Sequence, residues 1–176
     1  MRLTPSGLRA FGRTIPVSTG RGGIVPADRK IEGDGATPAA RLEIVGCLYR
    51  PDRVAPPSAW AEPILPGDLW CDDPGDAAYN HAVRAPFPAS HEVMRRADPL
   101  YDIVLLTNWN WPDAVPGRGS AIFLHQWRRP GCPTAGCIAM GRGDLRWLAA
   151  RAAPGTRLIV PQLSGAVPRR AAASTV

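Results

Sequence analysis

The sequence predicts a mainly β domain, a sandwich or a barrel, with a few short helices. Three observations lead there. Short apolar and β-branched runs recur along the chain. Turn residues are abundant, with 18 glycines and 20 prolines among 176 residues. One segment near the C-terminal end has clear helical periodicity. Periodicity alone does not separate a sandwich from a barrel.

Ile15 to Thr19 is a β-branched run that leads into the glycine turn Gly20 to Gly23. Asp28 to Pro38 (DRKIEGDGATP) is rich in turn residues and reads as a loop. Arg41 to Arg50 (RLEIVGCLYR) alternates well enough for a strand. Pro51 to Pro66 holds five prolines and reads as an irregular surface excursion. Trp70 to Asp76 (WCDDPGD) is again turn-rich. Ser90 to Ala97 is expected as a short helix, with Ser90 as cap and Glu92 in the first turn. Tyr101 to Trp109 (YDIVLLTNW) is the strongest strand signal, and its apolar centre suggests burial on both faces. Ser120 to His125 (SAIFLH) is a second core strand. Asp144 to Ala153 is the clearest helix, stopped by Pro154-Gly155. Arg157 to Pro161 makes a last strand. One domain over 1–163 and a flexible tail over 164–176 complete the organisation.

Composition narrows the function. Hydrophobic residues are 45% and charged residues 20%, as in a globular protein able to bury its own core. No stretch approaches the roughly 18 apolar residues of a membrane-spanning helix. Twenty-one basic side chains face fifteen acidic ones, for a net +6. The basic residues are scattered, with no run longer than two, so the charge reads as a solvated surface and no nucleic-acid partner is expected. The N-terminal stretch lacks an apolar run of signal-peptide length. The chain as written is therefore expected in the cytoplasm, or in the envelope if exported by an unusual route or from a longer precursor. A monomer is expected.

The chemistry concentrates in Ser120 to Met140 (SAIFLHQWRRPGCPTAGCIAM). A histidine, His125, ends a strand, and Gly136-Cys137 follows it. A thiol becomes a nucleophile when a neighbouring base takes its proton. His125 is the base of choice, with a backbone carbonyl such as that of Gln126 fixing its tautomer. Gly136 allows a sharp turn whose N–H groups face one point, as an oxyanion hole requires. Taken singly, a cysteine in an apolar segment is more often core and a strand-end histidine more often structural. Zinc on His125, Cys132 and Cys137 is the other reading, but the spacing departs from common zinc patterns and supplies only three ligands. Cys47 and Cys71 complete a set of four cysteines without a CxxC motif, and no disulfide pairing follows from their spacing.

The same segment resembles the signature of the L,D-transpeptidase (YkuD-like) family: a histidine, an interval, then Ser/Thr-His-Gly-Cys. His125 matches the upstream histidine, and Thr134, Gly136 and Cys137 match the second part. Gly33 to Pro38 (GDGATP) is similar to the family's Thr-Pro turn, and the likeness extends weakly over residues 15 to 160. Ala135 stands where the family has its second histidine, and Ala139 where many members carry an arginine. The interval between His125 and Thr134, eight residues, is shorter than usual.

The resemblance implies a YkuD-like fold and a cofactor-free cysteine enzyme. Its substrates would be peptidoglycan stem peptides, joined by 3→3 cross-links through a Cys137 thioester. Carbapenem-type β-lactams would be covalent inhibitors. Two rivals stand beside that activity: an L,D-carboxypeptidase that releases D-Ala to water, and a catalytically silent cationic wall-binding module. Substrate contacts are expected from Thr134, Trp127, Asn108 and Tyr79, with Arg142 or Arg128 replacing the missing arginine. No metal is expected. Asp72, Asp73 and Asp76 read as a turn before they read as a cation site, and Glu32 and Asp34 lack a spaced partner.

Overall fold

A computed structural model describes residues 1–162. The tail expected over 164–176, and the domain's last expected residue, 163, lie outside the described residues. Fourteen strands are present: β1 (Arg2–Thr4), β2 (Gly7–Ala10), β3 (Arg13–Ile15), β4 (Val17–Ser18), β5 (Ile24–Pro26), β6 (Thr37–Tyr49), β7 (Glu62–Pro63), β8 (Asp68–Cys71), β9 (Ala82–Arg84), β10 (His91–Val93), β11 (Ile103–Thr107), β12 (Phe123–Gln126), β13 (Ile138–Met140) and β14 (Arg157–Val160). One α-helix, α1 (Arg142–Ala149), and two 3₁₀ turns, Ala27–Arg29 and Pro99–Tyr101, complete the elements.

The mainly β expectation holds. Eleven strands form one sheet in the order β3-β2-β1-β14-β6-β11-β12-β13-β4, with β5 and β7 paired to β6. Its two ends, β3 and β4, are separated in sequence by Pro16 alone. One residue spans only a few ångströms, so the two sheet edges must lie side by side and the sheet curls into a nearly closed barrel. The 13-residue β6 is its spine, pairing with β14 through Ala40–Glu43 and with β11 through Ile44–Tyr49. A separate three-stranded sheet, β10-β8-β9, stands beside it.

Burial explains the central strands. Ile103, Val104 and Leu105 of β11 and Phe123 and Leu124 of β12 are at most 3% exposed. Helix α1 buries Leu145, Leu148 and Ala149 and packs on β11 and β12. It begins two residues before the expected Asp144 and ends before Ala153.

Several local expectations are corrected. Ser90 to Ala97 is not a helix: His91–Val93 forms β10, each residue paired with β8, and that ladder overrides the capping signal at Ser90. Trp70 and Cys71 belong to β8 instead of a turn. The run Ile15 to Thr19 is split at Pro16 into β3 and β4. Thr37 and Pro38 open β6 instead of closing a loop. β12 begins at Phe123, three residues after Ser120, because Ala121 takes a left-handed backbone (φ 50°) that no strand accommodates.

Leu105 sits fully buried between β6 and β12. Leu105→Ala is expected to lower the unfolding free energy by about 2–5 kcal/mol. Leu65→Ala, at a position 44% exposed, should change it by less than about 0.5 kcal/mol. Denaturant titration of both variants checks the contrast.

Candidate active site

A cavity of about 320 Å³ opens between the β11–β12 connection, the segment before β13 and the loop after β5. His125, Trp127, Arg128, Cys132, Thr134, Gly136 and Cys137 line it. The β12 and β13 ladder explains the meeting. These strands run parallel with His125 opposite Ala139, so the histidine at the end of one strand stands beside the turn that feeds the other.

The turn itself is built by hydroxyls. Thr134 Oγ donates to the Cys137 carbonyl (2.6 Å) and accepts from the Gly136 N–H (3.1 Å). Gly136 has φ +147°, and a Cβ there would meet the Ala36 carbonyl oxygen at 3.0 Å, so the position needs glycine. Thr37, fully buried, reaches the same turn: its Oγ donates to the Gly136 carbonyl (2.7 Å) and accepts from the Gly20 N–H (2.9 Å). The backbone of Thr134 pairs on both sides, its N–H donating to Thr19 and its carbonyl accepting from Arg21.

His125 is 5% exposed, and its ring lies 5.3 Å from that of Tyr101 in an edge-on contact. Nδ1 is 2.7 Å from the Gln126 carbonyl. A carbonyl only accepts, so the proton sits on Nδ1 and Nε2 keeps its lone pair. Burial is the largest cause that lowers the imidazole to about 4, against a weaker opposing pull from the Gln126 carbonyl. The ring is neutral across the physiological range.

Cys137 is partly accessible from the cavity. Its S–H donates to the Ala121 carbonyl (3.0 Å), and the Phe123 N–H points at the sulfur (3.4 Å). Burial pushes the thiol up to about 12, with the Phe123 N–H pulling the other way. The resting pair is therefore a neutral thiol and a neutral imidazole, without a hydrogen bond between them. Ala121, whose carbonyl accepts the thiol's hydrogen bond, holds the strained left-handed backbone noted above.

Charged groups of both signs surround the pair. Arg21, Lys30, Arg96 and Arg128 line the cavity together with Glu32, Asp72 and Glu92. Lys30 is spoken for by Asp34 (2.8 Å), and Arg96 by Asp98 (2.8 Å) while its guanidinium also lies over Tyr101. Burial raises the Glu92 carboxyl above the usual range, with Asp72 and Glu32 adding repulsion against the pull of Arg96.

Three expected contacts fall elsewhere. Tyr79 is buried behind the cavity; its OH donates to Glu32 Oε2 (2.6 Å) and accepts from the Gly119 N–H (3.0 Å), so it holds Glu32 without lining the space. Asn108 Oδ1 accepts from the Glu43 N–H (2.8 Å) and patches the β6–β11 ladder at its irregularity. Arg142 opens α1 and projects outward toward Asp102 at 3.9 Å. Gly136 offers less than expected as an oxyanion donor, because Thr134 Oγ takes its N–H. Asp73 and Asp76 cap their own turn through the Gly75 and Ala78 N–H groups. Among the described residues no three His, Cys, Asp or Glu side chains are gathered as a metal ion requires.

Sequence reading did not reach Tyr101, Arg96 or Glu92, which arrive from the segment misread as helix and from the 3₁₀ turn beyond it. Nor did it assign Thr37 a role in the turn, although the Thr-Pro likeness contained it.

A family model for YkuD, the L,D-transpeptidase catalytic domain, matches residues 9–160. No curated protein and no solved structure matches the chain.

Two outcomes are expected. Thr37→Val removes the buried hydroxyl and leaves the Gly20 N–H and the Gly136 carbonyl unpaired, so unfolding should be easier by about 1–3 kcal/mol, as measured by denaturant titration. The second concerns pH. The His125 imidazole is lowered to about 4 in the fold against 6.5 for the free group, so the unfolded chain takes up the proton first as pH falls. Stability should drop between pH 6.5 and 4, by up to ~3 kcal/mol from this group. Unfolding midpoints of His125→Asn measured over that window should fall less steeply than those of the unaltered chain.

Proposed function

The chain belongs to the YkuD family of L,D-transpeptidase catalytic domains, and on that premise we propose that it transfers peptidoglycan stem peptides through a thioester on Cys137. The observation that carries the reading is the tautomer of His125. With Nδ1–H given to the Gln126 carbonyl, the bare Nε2 is the one basic nitrogen a thiol in this cavity has to reach.

In the proposed reaction the Cys137 side chain turns from the Ala121 carbonyl toward His125. Nε2 takes the thiol proton as sulfur attacks the carbonyl carbon of the bond between an L-centre and the terminal D-residue. The backbone N–H of Cys137 holds the developing oxyanion. The C–N bond breaks, and the imidazolium returns its proton to the leaving amine. An amine from a neighbouring stem then attacks the thioester carbonyl and gives its proton to His125; the C–S bond breaks, the sulfur takes that proton back from the imidazolium, and a 3→3 link is closed. With a thiol near 12 and an imidazole near 4, no standing thiolate is available, so proton transfer and attack occur together. Cationic and anionic groups in the cavity suit a substrate that is itself a zwitterion. Arg21 and Arg128 face its carboxylates, and Glu32, Asp72 and Glu92 its ammonium. Arg128, exposed at the cavity's edge, supplies from there a positive charge that the fully buried Ala139 does not.

The test is mass spectrometry of muropeptides after incubation of the purified protein with tetrapeptide stems. Cross-linked dimers, and free tripeptide wherever water replaces the amine, should both disappear in Cys137→Ala, because both pass through one thioester. His125→Ala should slow acylation by roughly two to four orders of magnitude, while Cys132→Ala keeps most of the activity. Turnover that survives Cys137→Ala and vanishes in Cys132→Ala would transfer the nucleophile's role to the other thiol.

A further inference from the structure

The barrel carries a second cationic feature, on the outer face of β2, β1, β14 and β6. The pairing register sets Arg9 opposite Arg2, Arg2 opposite Ile159, and Ile159 opposite Arg41. Residues directly opposite present their side chains to one face. Arg9, Arg2 and Arg41 therefore stand in one row across four strands, ~14 Å from end to end at roughly 4.8 Å per strand. Arg157 lies two residues before Ile159 on the same face, opposite Glu43. The alternate residues Leu3, Leu8, Leu42 and Leu158 are buried, and all four arginines are exposed.

Among the described residues none of these four guanidinium groups meets a carboxylate or a carbonyl. Arg50, Arg53, Arg84, Arg95 and Arg96, by contrast, each hold a carboxylate within 3.2 Å. Like charges directly opposite one another weaken a sheet, so the row is a liability for folding taken alone. Two surface depressions adjoin it. One of about 400 Å³ is lined by Arg2, Arg9, Arg13 and Thr14, and one of about 340 Å³ by Arg41, Ile159 and Gln162. Neither shares a lining residue with the cavity around His125 and Cys137.

We propose that this row is a binding site for an extended phosphate-bearing polymer without nucleobases. A guanidinium fork matches phosphate oxygens in pairs, and cations without partners of their own, set one strand apart from Arg9 to Arg2 and two strands apart from Arg2 to Arg41 on one curved sheet face, suit a chain with repeating charge. The row itself carries no aromatic side chain on which bases would stack; Phe11, in the depression beside Arg9, is set edge-on to Trp147. The site is independent of the catalytic reading.

The experiment titrates the full chain with long-chain inorganic polyphosphate at low and high salt. Binding should be saturable, and Arg2→Gln/Arg9→Gln/Arg41→Gln/Arg157→Gln should weaken it at least tenfold. Arg29→Gln/Arg118→Gln/Arg129→Gln/Arg146→Gln, which removes equal charge elsewhere, should stay within twofold. Equal losses in the two quartets overturn the proposal, as does an absence of saturable binding. Tighter binding to single-stranded RNA, duplex DNA or anionic lipid vesicles overturns it as well. If circular dichroism shows the first quartet misfolded, Arg9→Gln/Arg41→Gln decides: a loss of threefold or more supports the row, and a smaller one rejects it.

Discussion

The hydroxyl of Thr37 is held between two backbones, accepting from Gly20 and donating to Gly136. Three stretches of chain far apart in sequence converge on that oxygen: the turn after β4, the start of the long strand β6 and the turn before β13. The spine of the barrel is thereby fastened to the loop that carries Cys137. Thr134 adds the inner brace, bonding the Gly136 N–H and the Cys137 carbonyl through one side chain. A glycine at φ +147° has little preference of its own. The hydroxyls select one conformation for it, and the sulfur's location follows.

The histidine is positioned by a different means. It is a strand residue, fixed by ladders to β11 and β13, and its environment is set by what stands around it. Ala139 directly opposite is fully buried and contributes only a methyl group, and Tyr101 closes the other side with an aromatic edge. The imidazole is thus flanked by hydrocarbon, and Arg96 and Asp98 act on it more weakly than burial does. An arginine in place of Ala139 would bring a fixed cation to the imidazole. Its absence leaves desolvation as the dominant influence on the ring.

How far the sequence disclosed this molecule depended on the range of the interactions involved. Strands β11 and β12 were readable from their near-continuous buried apolar residues, and β6 from its alternation. The β1–β3 hairpins were not, since three or four residues each, with arginines alternating against Leu3, Leu8 and Ile15, are too few to establish a period. The segment after Ser90 was misread because a cap is a local signal, whereas pairing with β8 is decided some twenty residues away. The same division runs through the site. His125, Gln126, Trp127, Thr134, Gly136 and Cys137 lie in one short segment and could be proposed together. Tyr79, Asn108 and Arg142 were plausible by type, but buried polar residues serve equally well to mend ladders or to hold other side chains. Tyr101 and Glu92 reach the cavity only through the fold.

The bond from the Cys137 thiol to the Ala121 carbonyl bears on how the protein survives while idle. Oxidants and small alkylating agents attack thiolates far faster than thiols. A thiol that donates its S–H to a carbonyl, and that burial keeps protonated, offers such reagents little. In the proposed reaction, reactivity then depends on an occupant that dislodges the side chain and supplies a carbonyl in its path. Between encounters the group on which the proposed chemistry depends is latent, and chemical damage falls on it less than on an activated cysteine.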